Sequence, residues 1–383
     1  MTDTATTRTE RRLLEGSEAI AEAMVAAGCR FFSGYPMTPF TEVLENMARL
    51  LPPVGGVAMN AESELEAIGM AWGAAATGTR AATGSTGQGL SLMEESLSEI
   101  TLARLPLVVL NMARAQGDYF QVTRGIGHGD WQPLVLAPVD VPEAARLVQL
   151  AFHLSDIHRH PVIVFGDYYL AHTSQSVDVA PIDFGPVPDK SWALDGTSGG
   201  TGGAKVVSPL GDSKRRDDVG YDLAEFYTRR ADEQDAIMRA VEPMVETGDV
   251  DDADVVVVSF GTPAKFMRSV CRTLRDEGHR VGWIRPISLV PFPSEVITRS
   301  AERARAIVVY ENNRGQMIDD VRLAVLGRCP VHSIARLSLD ESGFGIAPDL
   351  DVDVLAGRMR RALDDLGIAP STAAGRQPEG ARG

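Results

Sequence analysis

The chain has 383 residues, of which 52 are acidic and 37 are basic, giving a formal net charge of −15. Nucleic acids and anionic membranes favour a basic surface, so this charge argues against both kinds of partner. Apolar residues make up 44% of the chain and charged residues 23%, as in an ordinary globular protein, and the length predicts about two to three domains.

After a polar tail over residues 1–10, short apolar runs alternate with helical patterns up to about residue 170. The predicted strands cover 30–34, 56–60, 79–83, 105–113, 133–138 and 160–167. The predicted helices cover 39–50, 62–76, 88–102 and 142–155. This alternation favours a parallel sheet covered on both faces, in which ligands bind beyond the carboxyl ends of the strands.

The alternation stops over 173–250, which holds a Gly-rich connector (194–212) and an isolated helical pattern (221–243). It then returns, with predicted strands over 253–261, 279–286, 305–312 and 331–338 and predicted helices over 263–276, 294–304 and 317–326. We therefore predict an α/β fold with two parallel-sheet domains. The predicted division is a first domain over 11–175, a linker with an isolated helix over 176–250, a second domain over 251–366 and a disordered tail over 367–383.

The three cysteines, Cys29, Cys271 and Cys329, are far apart and form no CxxC pair. Neither a zinc site nor an iron–sulfur cluster is therefore predicted from this chain alone, and the sparse count is typical of a reducing compartment. The first residues are polar, unlike a signal peptide, and no segment has the ~20 apolar residues of a membrane span. We expect a cytoplasmic protein.

The segment YPMTP, residues 35–39, connects a predicted strand to a predicted helix. Thr38 is suited to cap the helix, with Pro39 in the first helical position, where its missing N–H costs nothing. Alternatively, the turn holds the Thr38 hydroxyl over a ligand pocket. The local pattern leaves both interpretations open.

Glu64 is predicted to lie on the apolar face of the helix over 62–76. At ~100° per residue, Glu62 and Glu66 fall on the opposite face, where a surface helix carries its charges. A buried carboxylate needs hydrogen-bond partners. Glu64 is therefore a structural carboxylate bonded to neighbouring backbone, a residue at an edge of the apolar face that opens to solvent, or part of a site.

The segment TGSTGQGLSLMEE, 83–95, is a Gly-rich turn between a strand and a helix. It has neither of the two common phosphate-binding spacings, GxGxxG and GxxxxGK[ST], so it indicates either a tight turn or close approach of backbone to a ligand. Arg114 directly follows the strand over 105–113, where its guanidinium could bind a carboxylate at two points or pair with Asp118.

The glycine-flanked segment GIGHGDW, 125–131, brings His128 and Asp130 into one loop. His128 could transfer protons or contact a substrate. A loop histidine without such a role is the alternative. The histidines show no HxxxH or HExxH spacing, so no metal site is predicted.

Taken together, GYPMTPFTEVLE, ESELEAIGMAWGAAATGTRAATGSTGQGLSLMEE, GDYFQVTRGIGHGDWQPLVLAP and HPVIVFGDYYLAH resemble the alpha subunit of 2-oxoacid:ferredoxin oxidoreductases. These are thiamine-diphosphate enzymes with iron–sulfur clusters, and the chain is most similar to the branched-chain (2-oxoisovalerate) type. FGTPAKFMRSVCRTLRDEGHRVGWIRPISLVPFP and YENNRGQMIDDVRLAV are similar to the family's transketolase-C-terminal-like domain. The resemblance covers roughly residues 15–365 and implies a pyrimidine-binding-like domain followed by a transketolase-C-terminal-like domain.

The resemblance also implies partners. Thiamine diphosphate would be shared with a beta subunit that supplies the diphosphate and magnesium site, and the iron–sulfur clusters would lie in partner subunits only. The small-molecule substrate would be a 2-oxoacid, coenzyme A would be the cosubstrate, and a ferredoxin-like subunit or ferredoxin would accept the electrons. We expect a hetero-oligomer, with a dimer of heterodimers as one arrangement.

In the resemblance, Glu64 matches the glutamate that bonds N1′ of the aminopyrimidine, Thr38 matches the threonine facing cofactor and substrate, and Arg114 matches an arginine that pairs with the oxoacid carboxylate. The matching cofactor-binding residues are Glu64, Thr38, Pro36, Thr86, Gly87 and Gly89. His128 and Asp130 are the residues expected at the substrate pocket, and no residue is expected to bind a metal.

The chain departs from the family where relatives commonly carry a longer Gly/Pro-rich loop after the strand ending near Ala113. The abbreviated loop leaves 2-oxoglutarate, pyruvate or an aryl-pyruvate as alternative substrates. A non-catalytic scaffold subunit is the alternative from another class. The joint presence of Thr38, Glu64 and Arg114 argues against the scaffold.

Overall fold

The computed structural model describes residues 11–124, 127–196, 223–343 and 347–371. The predicted tail over 1–10, most of the Gly-rich connector and the end of the predicted C-terminal tail lie outside the described residues. No helix in the described parts combines the length and the apolar content that crossing a bilayer requires.

The first half of the chain alternates strands and helices as the sequence predicts. Its elements are β1 (Arg12–Glu15), α1 (Gly16–Ala26), β2 (Phe31–Gly34), α2 (Thr41–Leu50), β3 (Val57–Asn60), α3 (Glu64–Ala76), β4 (Ala81–Ser85), α4 (Gly87–Leu102), β5 (Leu107–Ala113), α5 (Tyr119–Thr123), β6 (Leu134–Leu136), α6 (Val141–His158), β7 (Pro161–Asp167), α7 (Tyr168–His172) and β8 (Ser174–Val177). β1 and β8 form a separate antiparallel pair.

The second half, which begins with a helix, is also α/β. Its elements are α8 (Leu223–Ala240), β9 (Val245–Gly248), β10 (Val255–Val258), α9 (Gly261–Asp276), β11 (Val281–Pro286), β12 (Ser288–Val290), α10 (Ser294–Ala301), β13 (Ala306–Val309), α11 (Met317–Val325), β14 (Val331–Ser333) and α12 (Val352–Asp365).

Within the described residues the strands form two larger sheets. One has the order β12-β6-β7-β5-β4-β2-β3 and the other β14-β13-β10-β11-β9. Neighbouring strands are parallel except at β12 in the first sheet and β9 in the second. The predicted fold class, α/β with two parallel-based sheets, is confirmed.

Both faces of the first sheet are buried, as a parallel sheet requires. In β5, Val108 and Leu110 point into a core built with α1, α2 and α6. Leu107 and Val109 point into the opposite core, which contains α3 and α4. This second core continues into the second sheet, where it includes apolar side chains of β10 and β11. The two halves of the chain are therefore joined by one hydrophobic cluster.

Two short strands cross the predicted division of the chain. β9 falls in the predicted linker but pairs with β11. β12 falls in the predicted second domain but pairs with β6 of the first sheet. The sequence of β9, VETG, lacks the apolar run of a buried strand, so the pattern did not predict this strand. Only Ile287 separates β12 from β11, so the pattern did not distinguish β12 as a separate strand. The domain boundaries themselves stay a prediction.

Candidate active site at the carboxyl edge of the first sheet

The carboxyl ends of three neighbouring parallel strands meet at one edge of the first sheet. β2 ends at Gly34, β4 at Ser85 and β5 at Ala113. α3 begins at Glu64 and α4 at Gly87 beside the same edge. Because ligands of α/β proteins bind at such edges, this is the region in which to examine the candidate residues.

Glu64 is the first residue of α3 and is 2% exposed, whereas Glu62 and Glu66 are exposed. Glu64 therefore lies on the buried side of α3, and the alternative of an edge open to solvent is wrong. The Ser85 hydroxyl donates a hydrogen bond to Glu64 Oε1 at 2.8 Å. Among the described residues no other group donates to this carboxyl, so Oε2 can bond to a bound molecule.

Gly89 provides the space in which this carboxyl lies. A Cβ atom at Gly89 would lie 2.2 Å from Glu64 Oε1 and 2.1 Å from Ser85 Oγ, closer than real atoms approach. The carboxyl therefore rests against the first turn of α4, whose backbone N–H groups favour negative charge nearby. Any larger residue at position 89 would clash with the Glu64 carboxyl and the Ser85 hydroxyl, which explains the glycine there.

The turn before α2 differs from the predicted helix start. α2 begins at Thr41 with Phe40 in the N-cap position, so the predicted capping by Thr38 is wrong. The Thr38–Pro39 peptide is cis, and the Thr38 side chain is exposed. Thr38 therefore does not cap α2, and the interpretation in which its hydroxyl borders a ligand pocket stays a prediction.

The turn is held against the sheet edge by Phe40 and Met37. Cβ atoms at Gly34 and Gly84 would lie 2.8 Å and 2.7 Å from the Phe40 ring, so two glycines make room for this ring. The Thr86 hydroxyl donates to the Met37 sulfur at 2.9 Å. The turn and the Gly-rich segment are therefore in direct contact.

A cavity of about 460 Å³ opens beside the start of α4. Its lining includes Gly87, Gln88, Ser91, Arg114, Asp118 and Gln121. Burial raises the pKa of the Asp118 carboxyl above its usual value, while a hydrogen bond from Asn111 and the charge of Arg114 oppose this shift. Among the described lining residues, Arg114 carries the positive charge and Asp118 the negative charge.

His128 and Asp130 lie elsewhere. The His128 ring is exposed and contacts Glu99 Oε1 at 3.1 Å. Glu99 is in the last turns of α4, about 18 Å along the helix from Gly87 at 1.5 Å per residue. The Asp130 carbonyl accepts from Gln234 of α8. The structure does not bring these two predicted residues together with the other candidates.

Two residues of the site were missed from the sequence. Ser85 stands next to the predicted Thr86, but the pattern selected only Thr86 and the glycines. Asp118 was considered only as a partner of Arg114, not as part of a cavity wall. A polar residue at the last position of a buried strand was the available signal for Ser85.

The described residues hold no group of three His, Cys, Asp or Glu side chains that could bind a metal ion. Cys29 and Cys271 are buried, and burial raises the pKa of each thiol to about 12. A thiol with so high a pKa is a poor nucleophile and a poor ligand.

Two family models match the chain. The model described as pyruvate flavodoxin/ferredoxin oxidoreductase, thiamine diphosphate-binding, matches residues 22–192. The model described as pyruvate:ferredoxin oxidoreductase core domain II matches residues 253–341. The first match contains Glu64 and Arg114, and the second contains most of the second sheet.

Curated relatives come from two substrate classes. The ketoisovalerate oxidoreductase subunit VorB of Methanothermobacter thermautotrophicus is 36% identical over 323 residues, 82% of this chain and 89% of that protein. The 2-oxoglutarate synthase subunit KorA of Methanothermobacter marburgensis is 31% identical over 365 residues, 86% of this chain and 95% of that protein.

Solved structures agree with the fold. A 2-oxoglutarate:ferredoxin oxidoreductase from Magnetococcus marinus, with 2-oxoglutarate, coenzyme A and succinyl-CoA bound, matches with a TM-score of 0.76 and 25% identity. The match covers 92% of this chain and 66% of that one. A split-gene transketolase, at 16% identity and a TM-score of 0.55, shares the fold.

Proposed function

The chain belongs to the 2-oxoacid:ferredoxin oxidoreductase family, and we propose that it is the alpha subunit of a thiamine-diphosphate-dependent member. The proposed reaction is oxidative decarboxylation of a branched-chain 2-oxoacid to its acyl-CoA, with reduction of ferredoxin. The observation that carries this proposal is the buried Glu64 carboxyl, which keeps one oxygen for a ligand at the sheet edge that also bears Arg114.

The residues around Glu64 fit the aminopyrimidine end of thiamine diphosphate. A ring nitrogen needs one carboxyl oxygen in a site without water, and Glu64 Oε2 meets that need. Ser85 holds the other oxygen, and Gly89 leaves the space for the carboxyl. Thiamine diphosphate, when bound, supplies the electron sink for the decarboxylation.

The remaining cofactor contacts are assigned to the turn and the Gly-rich segment. Pro36 and Thr38 are exposed on the turn, and Thr86, Gly87 and Gly89 begin α4 or directly precede it. The contact of Met37 with the Thr86 hydroxyl keeps these two segments together. Both segments can therefore border one bound molecule.

We assign Arg114 to the carboxylate of the 2-oxoacid. A guanidinium binds a carboxylate through two parallel hydrogen bonds, which fixes its orientation. The charges of the cavity favour a monocarboxylate, because a second carboxylate on the substrate would meet Asp118 with no second cation among the described lining residues. VorB and KorA relatives match this chain at similar identities, 36% and 31%, so the choice of substrate rests on the charges of the cavity.

The partner proposed to complete the site is a thiamine-binding beta subunit with the diphosphate and magnesium site. Exposed apolar side chains, which mark interfaces, lie on α3, the helix that begins with Glu64, and on two other elements of the first half. They are Val57, Met59, Leu65, Met70 and Leu92 on β3, α3 and α4. Cβ atoms at Gly69 and Gly73 of α3 would meet nothing within 4 Å, so a partner could approach this helix closely. The iron–sulfur clusters are assigned to partner subunits, where ferredoxin receives the electrons.

The test is to co-express the chain with a thiamine-binding subunit and a ferredoxin-like subunit and to measure 2-oxoacid-dependent reduction of a one-electron dye. Glu64→Gln should lower the rate by about 10²–10⁴-fold, as expected for a proton-transferring group. The control Glu62→Gln changes an exposed carboxylate two residues earlier, before α3 begins, and should stay within about twofold. A Glu64→Gln rate close to wild type would overturn the assignment.

A substrate panel in the same assay separates the alternatives. 2-Oxoisovalerate should be turned over with a higher kcat/KM than 2-oxoglutarate, pyruvate or phenylpyruvate. Preference for 2-oxoglutarate would contradict the branched-chain assignment but leave the family and the role of Glu64 in place. Absence of any 2-oxoacid-dependent reduction would contradict the proposed reaction itself.

A further inference from the structure

The loop that follows Arg114 makes several hydrogen bonds to the second half of the chain, besides the bond from Asn111 of β5 to Asp118. Gln316 Oε1 accepts from the Phe120 N–H at 2.8 Å, and Gln316 Nε2 donates to the Gly117 carbonyl at 2.7 Å. The Tyr119 hydroxyl donates to Asp320 Oδ2 at 2.6 Å. These bonds link the cavity wall to the segment leading into α11.

Gln116 is the centre of this contact and is 3% exposed. Its side-chain amide donates to the Phe260 carbonyl at 2.9 Å and accepts from the Asn312 N–H at 2.8 Å. Its backbone N–H donates to the Asn312 carbonyl, and its carbonyl accepts from Asn313 Nδ2 at 2.9 Å. All four hydrogen-bonding groups of Gln116 therefore bond to the second half. We call the bonds made by Gln116 and Gln316 the clamp.

The second half presents a rigid surface to the clamp. Glu311 is fully buried, and its carboxylate accepts from the backbone N–H groups of Gln316, Met317 and Ile318 at 2.8–3.1 Å. Burial raises the pKa of this carboxyl, and these hydrogen bonds oppose the shift. A carboxylate that collects several N–H groups fixes the path of the backbone around it.

Only Ala115 separates Arg114 from Gln116, so their Cα atoms are at most about 7 Å apart. A longer loop could absorb movement at its far end, but one intervening residue cannot. The direction in which the Arg114 side chain leaves the backbone therefore depends on where Gln116 is held. The clamp also holds Gly117 and Phe120, the residues flanking Asp118 and Tyr119.

We propose that Gln116 and Gln316 are positioning residues, through which the second half of the chain sets the place of Arg114 in the substrate cavity. The inference rests on the proposed function, since it takes Arg114 to bind the 2-oxoacid carboxylate. It assigns the second half a direct part in substrate binding.

The test measures KM and kcat of the assembled enzyme for 2-oxoisovalerate. Gln316→Ala and Gln116→Ala should each raise KM about fivefold or more with kcat nearly unchanged, the result expected when a contact shared by ground state and transition state is loosened. In an Arg114→Met background the same substitutions should change KM less than about twofold, because the group they position is absent. Gln316 is only half-buried, so its variant should fold even if Gln116→Ala does not.

A matched control removes another hydrogen bond between the two halves. Gln234 of α8 donates to the Asp130 carbonyl at 3.0 Å, away from the loop after Arg114, so Gln234→Met should leave KM within about twofold. Amide hydrogen exchange on the chain alone is an independent measurement. Exchange in residues 115–121 should speed up in Gln316→Ala and stay unchanged in Gln234→Met.

The outcomes separate the two proposals. If Arg114→Met raises KM but the clamp variants do not, the positioning inference is wrong and the proposed function stands. Equal effects of Gln316→Ala with and without Arg114 would also overturn the inference. If Arg114→Met itself leaves KM unchanged, the proposed role of Arg114 fails.

Discussion

Gly89→Ala is the smallest change that should disturb the proposed active site. In most helices this substitution is favourable by roughly 1 kcal/mol, because alanine loses less backbone freedom on folding. Here the added methyl would lie 2.2 Å from Glu64 Oε1 and 2.1 Å from Ser85 Oγ. Both oxygens must withdraw, and the hydrogen bond between them must lengthen or break.

The size of the effect follows from these distances. An ordinary carbon–oxygen contact is about 3.4 Å, so the Glu64 carboxyl has to move by roughly 1 Å. A misplacement of about 1 Å in a catalytic group costs about 10²-fold in rate. Overpacking costs typically ~1–3 kcal/mol of stability and is partly offset by the helix preference for alanine. We therefore expect a net loss of stability of about 1 kcal/mol and a much larger proportional loss of activity.

Two measurements test this reasoning: dye reduction by the assembled enzyme and thermal unfolding of the chain alone. Gly73→Ala is the control for unfolding, since a Cβ at this α3 position meets nothing within 4 Å and should raise the unfolding free energy by about 1 kcal/mol. If Gly89→Ala kept full activity, or raised stability as Gly73→Ala does, the steric account of Glu64 and Ser85 would be refuted.

Two further predictions concern stability. His160 is 2% exposed, and burial lowers its pKa from 6.5 to about 4. The stability that the neutral imidazole contributes is therefore fully present above pH 6.5 and is lost as the pH falls towards 4. Urea titrations should show a loss of about 3 kcal/mol of unfolding free energy over this range. His160→Gln, which can still donate to the Gln132 carbonyl, should flatten that part of the pH profile, and an unchanged slope would contradict the assignment. Arg285 is 3% exposed and bonds to Glu143 of the first half and to Glu246 of its own half. Arg285→Met should therefore cost about 3 kcal/mol or more in the same titration at neutral pH. A loss below about 1 kcal/mol would show that this pair adds little.

Periodicity was enough to predict the α/β fold and the position of Glu64 on the apolar face of its helix. Both depend on local patterns: strands alternating with helices, and one glutamate on the apolar side of a helix whose other glutamates face solvent. The predicted capping by Thr38 is wrong, since α2 begins at Thr41. A local pattern could not show that the Phe40 ring packs against Gly34 and Gly84 in the turn before this helix.

The sequence pattern left the role of His128 open, because a histidine in a glycine-flanked loop either contacts a substrate or has no such role. In the structure the His128 ring contacts Glu99, near the end of α4 opposite to Gly87. The length of α4 therefore separates His128 from the candidate residues at the start of that helix.

The contact between Gln116 and Asn312 joins residues 196 positions apart, so no local sequence pattern could predict it. The hydrophobic core explains the contact. Tyr119 belongs to the same hydrophobic cluster as Phe260 and apolar residues of β10, and the Tyr119 and Phe260 ring centroids are 5.3 Å apart. Because that cluster spans both sheets, the loop after Arg114 is packed between them and cannot move independently of either. Since only Ala115 separates Arg114 from Gln116, this loop ties the substrate side of the proposed site to the second sheet. Changes in the second half of the chain should therefore affect substrate binding first.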